Sequence, residues 1–199
     1  MREIAALNPN PAAIGLPAMD IPRLETERLI LRAPALADFE AYAAIFADPD
    51  VMRFLGPPMS RREAWRSLAA VIGQWSLRGY GRWAVTRKSD GALLGIVGLN
   101  HPIDYPGIEV AWTLAKSAWG QGYAGEAARA SMNHGFLTQD TARLISLIDP
   151  QNAPSQAVAA RIGEANTRER NDFAFGGQTY VTEIWSISRA EWQKRENAA

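Results

Sequence analysis

The stretch IEVAWTLAKSAWGQGYAGEAARASMNH, residues 108–134, decides how the rest of the chain is read. It opens with an apolar and β-branched run, Ile108 to Leu114, that has the character of a buried strand. A Lys/Ser turn ends the run. Trp119-Gly120-Gln121-Gly122-Tyr123-Ala124-Gly125 then leads directly into an Ala-, Glu- and Arg-rich segment of good helix propensity. A strand, a glycine-rich loop and a helix N-terminus in that order build an anion site. Glycine lets the backbone approach a ligand, the N–H groups point at it, and the helix dipole favours negative charge. A phosphate or pyrophosphate is the natural occupant.

Several phosphate loops share this outline. A P-loop requires Lys-Ser/Thr after its last glycine, whereas Gly125 is followed by Glu126-Ala127. Gly120-x-Gly122-x-x-Gly125 matches the dinucleotide fingerprint as a string, and Asp149 follows the next apolar run, Arg143 to Ile148, where that fold wants an acid. A glycine-rich turn with no ligand is a third reading. A linked pair of segments is more specific than any of these: EVAWTLAKSAWGQGYAGEA, and further on DPQNAPSQAVAARIG. Together they resemble the acetyl-CoA-binding core of the GNAT superfamily of N-acetyltransferases. The resemblance is strongest to its RimJ/RimL-like branch, with a pattern close to E-x-G-Y…W-G-x-G-x-x-x-E-A…N-x-x-S-x-x-x-x-x-K-x-G-F. It extends more loosely from Leu24 to Trp192, and the T-x-R-L-x-L-R opening of the branch has its counterpart in Thr26 to Arg32.

The bulk properties agree. With 199 residues, 47% of them hydrophobic, the chain can bury one proper core. Its 21 basic and 21 acidic side chains balance, so it carries no electrostatic footprint for nucleic acid or an anionic membrane. The absence of cysteine excludes disulfides and thiolate metal sites, and two histidines far apart in sequence argue against a histidine metal centre. No apolar run reaches the length of a membrane span, and no secretory leader is evident, so a cytoplasmic protein is expected.

Taken in order, residues 1–22 carry Pro9, Pro11, Pro17 and Pro22 without periodicity, and read as a flexible extension or an arm packing on a partner subunit, which leaves a homodimer open. Residues 23–196 form the single expected domain. Leu24 to Arg32 reads as one strand. Asp38 is placed to cap a helix through about Phe46, and Ser60 with Glu63 forms a capping box opening a helix to about Leu77, with Trp65, Leu68, Ala69, Ile72 and Trp75 as its apolar stripe. Gly81 to Arg87 and Leu93 to Leu99 are strands joined at Asp90-Gly91. A helix over Ala124 to about Leu137, a strand Arg143 to Ile148 and a helix Asn152 to Ile162 follow. A hairpin-like Asp172 to Thr179, a strand Tyr180 to Ile187 and a short helix Ser188 to Glu196 complete the chain. The resemblance implies an α+β fold, an α/β sandwich with a mixed, mostly antiparallel central sheet and helices on both faces.

It also implies a chemistry, acetyl transfer from acetyl-CoA to a primary amine by direct attack in a ternary complex, without a metal. The backbone of Trp112, Thr113 and Leu114 would pair with the pantetheine arm. The loop Trp119, Gly120, Gln121, Gly122, Tyr123, Ala124 and Gly125 would hold the pyrophosphate. Asn152 stands where the family places an amide on pantetheine, while as a residue it reads equally as an N-cap. Glu109 is the candidate base and Ser155 a cofactor contact and candidate proton donor. Three positions depart from the pattern: Trp119 stands where most of the superfamily has Arg or Gln, Ala159 where many members have a tyrosine acid, and Arg161-Ile162-Gly163-Glu164 where the family has K-x-G-F. His101 and Tyr105 are candidate acceptor contacts, and His134 is read as structural. The acceptor is expected to be a peptide N-terminus or a small amine. A non-catalytic acyl-CoA sensor is the alternative.

Overall fold

The computed structural model describes residues 20–175 and 178–198. The first nineteen residues of the expected extension lie outside the described residues; at its end, Ile21 packs on the core and the Trp83 indole donates to the Pro22 carbonyl at 2.7 Å.

An eight-stranded sheet organises the fold. Its strands are β1 Leu24–Glu25, β2 Leu29–Arg32, β3 Arg82–Arg87, β4 Leu93–Asn100, β5 Glu109–Leu114, β6 Arg143–Ile148, β7 Ala165–Arg170 and, after the small hairpin β8 Phe173–Phe175 and β9 Gln178–Tyr180, β10 Glu183–Ser188. The order is β1-β2-β3-β4-β5-β6-β10-β7, antiparallel everywhere except between β5 and β6. The helices are α1 Phe39–Ala47, α2 Pro49–Met52, α3 Arg61–Arg78, α4 Tyr123–Thr138, α5 Ala153–Ile162 and α6 Arg189–Glu196. One core layer joins the sheet to α4, α5 and Trp192 of α6; a second joins it to α1, α2 and α3. The mixed sheet between two helical layers is the expected architecture.

Several local expectations change. Leu24 to Arg32 is two strands: Leu24 pairs with Leu31, the chain reversing where the Thr26 hydroxyl accepts from the Leu29 N–H at 3.0 Å. Asp38 precedes α1 but caps nothing with its side chain; its carboxylate is taken by the Arg32 guanidinium at 2.6 and 2.8 Å and by the Ala35 N–H. A charged partner outcompetes the free amides of a helix end. The Ser60–Glu63 capping box forms as expected, yet α3 buries Ala64, Leu68, Val71 and Trp75. That stripe is rotated from the predicted one, and Trp65 is left 49% exposed, edge-on to Phe39. Between the two expected helices Asp48 caps an additional short one, α2. The last sheet strand begins at Glu183 rather than Tyr180, because residues 178–180 pair in the β8–β9 hairpin.

Candidate active site

Two parallel neighbours place the site. Because β5 and β6 run the same way, the helices that follow them, α4 and α5, both start at the same end of the sheet. Their N-termini flank a crevice beyond the strand ends, the usual position for an anionic ligand in such a sheet. The strands also part company there. Ladder pairing is confined to Glu109 opposite Ile145, with the Ile145 N–H on the Ile108 carbonyl at 3.0 Å.

A continued ladder would put the Leu147 N–H on the Val110 carbonyl. Side chains intercept both groups. The Ser146 hydroxyl donates to the Val110 carbonyl at 2.8 Å, and the Glu109 carboxylate accepts from the Leu147 N–H at 3.4 Å. The strands can therefore diverge without orphaned backbone groups. Farther along, the backbone of Trp112 and Leu114 faces the gap by strand alternation, while that of Thr113 faces β4 opposite Ile96. The Leu114 carbonyl is already occupied by the Trp119 indole at 3.0 Å, which leaves Trp112 as the open rung.

The loop at the crevice mouth has the backbone its glycines permit. Gly120 and Gly122 sit at φ 73° and 80°, the left-handed region that costs other residues energy, and Gly122 caps α4. Glu126, in the first turn of α4, fastens this loop to the β1–β2 turn. It accepts from the Thr26 hydroxyl at 2.6 Å, from the Arg28 N–H at 2.9 Å and from the Arg28 guanidinium at 2.7 Å, and Arg28 also donates to the Gln121 carbonyl. Burial opposes ionisation of Glu126, but these bonds hold its carboxyl below the usual range. Across the gap, Asn152 caps α5 by accepting from the Ser155 N–H at 3.2 Å, and the Trp112 indole donates to the Ser155 hydroxyl at 3.3 Å. An open groove of about 660 Å³ beside the loop is lined in part by Arg28, Gly122, Gly125, Arg129 and Arg161.

The Acetyltransferase (GNAT) domain model matches residues 28–164. This chain belongs to the GNAT family. YkkB of Bacillus subtilis strain 168 is 32% identical over 152 residues, 71% of this chain and 84% of that protein. The N-acetyltransferase p20 of Bacillus licheniformis is 29% identical over 135 residues, 66% and 76% of the two chains. Among solved structures, an acetyltransferase from Agrobacterium tumefaciens strain C58 superposes with a TM-score of 0.73 at 32% identity, covering 85% of this chain and 96% of the other. RimL, a ribosomal L7/L12 α-N-protein acetyltransferase crystallised with coenzyme A, shares the fold at TM-score 0.68 and 18% identity over 84% and 98% of the chains. The GNAT chain is an acetyl-CoA-dependent acetyltransferase.

The faces of the GNAT sheet carry different groups. Val110, Trp112 and Leu114 face the α4 side, whereas Glu109, Ala111 and Thr113 face the α1–α3 side. Glu109 is buried; its other oxygen accepts from the Asn100 amide at 2.8 Å. Burial raises its proton affinity, against the Asn100 bond and the nearby Arg82 cation. Tyr105 stands close, pushed up to about 12 by burial and by Glu109. His101 Nδ1 and the Tyr80 hydroxyl share a hydrogen bond at 3.0 Å, and His101 is lowered by burial and by Arg78. His134 meets the Trp83 ring edge-on within the core layer.

Three groups at the GNAT site escaped the sequence reading. Arg129 lies one helical turn past Gly125, a spacing that could have marked it as facing the loop. Arg161 carries the cation expected at the K-x-G-F lysine, but its position beside the groove follows only from the fold. Glu164 is the third. It is buried, its Oε1 lies 3.1 Å from the Ser146 hydroxyl, and its Oε2 has no hydrogen-bond partner among the described residues. Burial raises it well above the usual carboxyl range, with Glu109 adding to the rise.

Proposed function

We propose that this GNAT enzyme, of the RimJ/RimL-like branch, transfers the acetyl group of acetyl-CoA to a primary amine by direct attack in a ternary complex. The observation that carries the reading is the splayed β5–β6 pair, with two helix N-termini and Arg28, Arg129 and Arg161 on one side and the buried carboxylate of Glu109 on the other. The phosphates of the donor lie along Trp119 to Gly125 and the arginines, and pantetheine enters the gap against the Trp112 backbone, with Asn152 and Ser155 on its far side. The amine arrives from the α1–α3 face.

Glu109 takes a proton from the incoming ammonium or amine, directly or through water, and the amine lone pair attacks the thioester carbon. The C–S bond breaks as the C–N bond forms, any surplus proton left on the nitrogen passes to solvent, and the thiolate collects its proton from water or from Ser155, whose hydroxyl water then reprotonates. The Ser155 hydroxyl accepts from the Trp112 indole, so its own hydrogen stays available. A thiol is a good leaving group, so a strong acid is dispensable. The sensor reading draws on Ala159, which is fully buried in α5 and offers no acid in place of a tyrosine. Thiol release from acetyl-CoA, run with pools of amines and N-terminal peptides against a no-acceptor control, separates the two. Acceptor-dependent release supports the transferase. Silence in every pool with acetyl-CoA still raising Tm supports the sensor.

A further inference from the structure

On the α1–α3 face, beside Glu109, Arg82 of β3 pairs with Gly98 of β4, which pairs with Ala111 of β5. Between Arg82 and the β5–β6 gap this row therefore raises only the Ala111 methyl from the sheet. Gly98 cannot be enlarged, because a Cβ there would come within 2.5 Å of the Gly81 carbonyl. On one side the trough is closed by Ala84 and Ile96, buried beneath α1 and α3; on the other lies the row Asn100–Glu109. Tyr42 of α1 and Tyr105 of the 101–107 loop stand over it, each within electrostatic reach of Arg82.

Arg82 is half-buried at the end of this trough, and among the described residues its guanidinium makes no hydrogen bond or ion pair. Glu109 lies within electrostatic reach of Arg82 without pairing with it, Arg78 lies near His101, and Asp104 of the loop is exposed. Glu109 is the one acid on the trough floor, and its two oxygens are taken by Asn100 and Leu147. A guanidinium offers five donors in a planar fork that matches a carboxylate. Two strands, about 10 Å, and one two-residue step, about 7 Å, separate the Arg82 and Glu109 Cα atoms, a span that two long side chains pointing toward each other reduce to the size of a small molecule.

We infer that the acceptor is a small amino carboxylate, whose carboxylate seats on Arg82 while its amine is presented to Glu109. The inference rests on the transferase reading above and narrows it: a peptide N-terminus has no adjacent carboxylate, and a polyamine would meet Arg82 and Arg78 with like charge.

The test uses the full chain and thiol release from acetyl-CoA. Amino acids with the amine α, β or γ to the carboxylate are each paired with their carboxamide, with N-terminal peptides and polyamines as further arms. The expected result is that kcat/KM for the best amino acid exceeds that for its amide by at least about tenfold, the share of one charge-assisted contact. Arg82→Met removes that preference by lowering the acid and sparing the amide, with the KM for acetyl-CoA and Tm unchanged. Arg82→Lys restores part of it. The inference is overturned if peptides, polyamines or amides are the better acceptors while release is robust; in that event the transferase stands. It is equally overturned if Arg82→Met depresses acid and amide alike. Absence of release with every amine would remove the transferase reading itself, and this inference with it.

Discussion

Replacing Glu164 with Gln tests the buried chain behind the strand gap. The Ser146 hydroxyl has one hydrogen and two partners, the Val110 carbonyl at 2.8 Å and Glu164 Oε1 at 3.1 Å. A carbonyl can only accept, so if the hydrogen goes to Val110 the second contact needs a proton on Glu164. Burial holds that proton on the carboxyl well above its ordinary range. The unfolded glutamate ionises near its ordinary value of about 4.3. Folding above that pH therefore takes up a proton, and the wild-type protein loses stability as pH rises from the unfolded value toward the folded one. Glutamine has no proton to take up and can donate to Ser146 through its amide. The stability of Glu164→Gln relative to wild type should thus grow by up to about 1.4 kcal/mol per pH unit for as long as the pH lies between the unfolded and the folded Glu164 values. At this chain length each such unit corresponds to about 3–6 °C in Tm. Glu109 is also raised by burial and its charge adds to the Glu164 rise, so the same pair is compared in a Glu109→Gln background to isolate Glu164. The assay is thermal unfolding of both proteins from pH 4.5 to 8 at constant ionic strength. A difference that stays flat across that range would refute the protonated chain, and one that falls would mean an ionised, stabilising Glu164.

Three further substitutions probe the crevice. Glu109→Gln should lower kcat by at least about 10²-fold, the usual share of a general base, while leaving acetyl-CoA affinity unchanged. Wild-type kcat/KM should rise with pH through the elevated Glu109 value, and that limb should vanish in the variant; a retained limb would remove Glu109 as the base. Gly122→Ala forces a Cβ onto φ 80°, 3.4 Å from an Arg28 nitrogen, and at about 1–2 kcal/mol of strain should weaken acetyl-CoA binding roughly tenfold by calorimetry. Glu126→Ala strands Thr26 and Arg28 and should cost about 2 kcal/mol, read as a lower Tm together with a raised KM for acetyl-CoA.

The fold around the glycine loop was legible because its signals are local. Glycines at a helix start, a strand before them and an Asn-x-x-Ser helix start after them are adjacent in sequence, and α4, β6 and α5 fall within a residue or so of their expected bounds. The strand after α5 has no counterpart among the expected elements, and β7 forms there as an edge strand, bulged against β10 between Glu183 and Trp185. What failed depended on competition or register. Asp38 reads as a cap until Arg32, six residues away, is seen to claim it. The α3 stripe is ambiguous because Ala64 and Val71 compete with Trp65 and Ile72 for the core, and only packing against Ala84 and Ile96 decides. Arg82 carried no signal at all, since its importance comes from small residues on two other strands.

The glutamate in place of the family's phenylalanine has a structural logic of its own. Opening a parallel ladder leaves a carbonyl on one strand and an N–H on the other, and each would cost on the order of 1–3 kcal/mol if buried without a partner. Here Glu109 covers the N–H and Ser146 covers the carbonyl, so the gap is held by side chains rather than by bound cofactor. Ser146 can rotate, however, and an ionised neighbour would draw its hydrogen away from Val110. A neutral Glu164 behind it prevents that by supplying a hydrogen of its own. A phenylalanine would leave the Ser146 hydrogen on Val110, its single acceptor, and the hydroxyl oxygen without a donor, which a protonated Glu164 supplies. The gap then belongs to the free enzyme, held open by its own side chains.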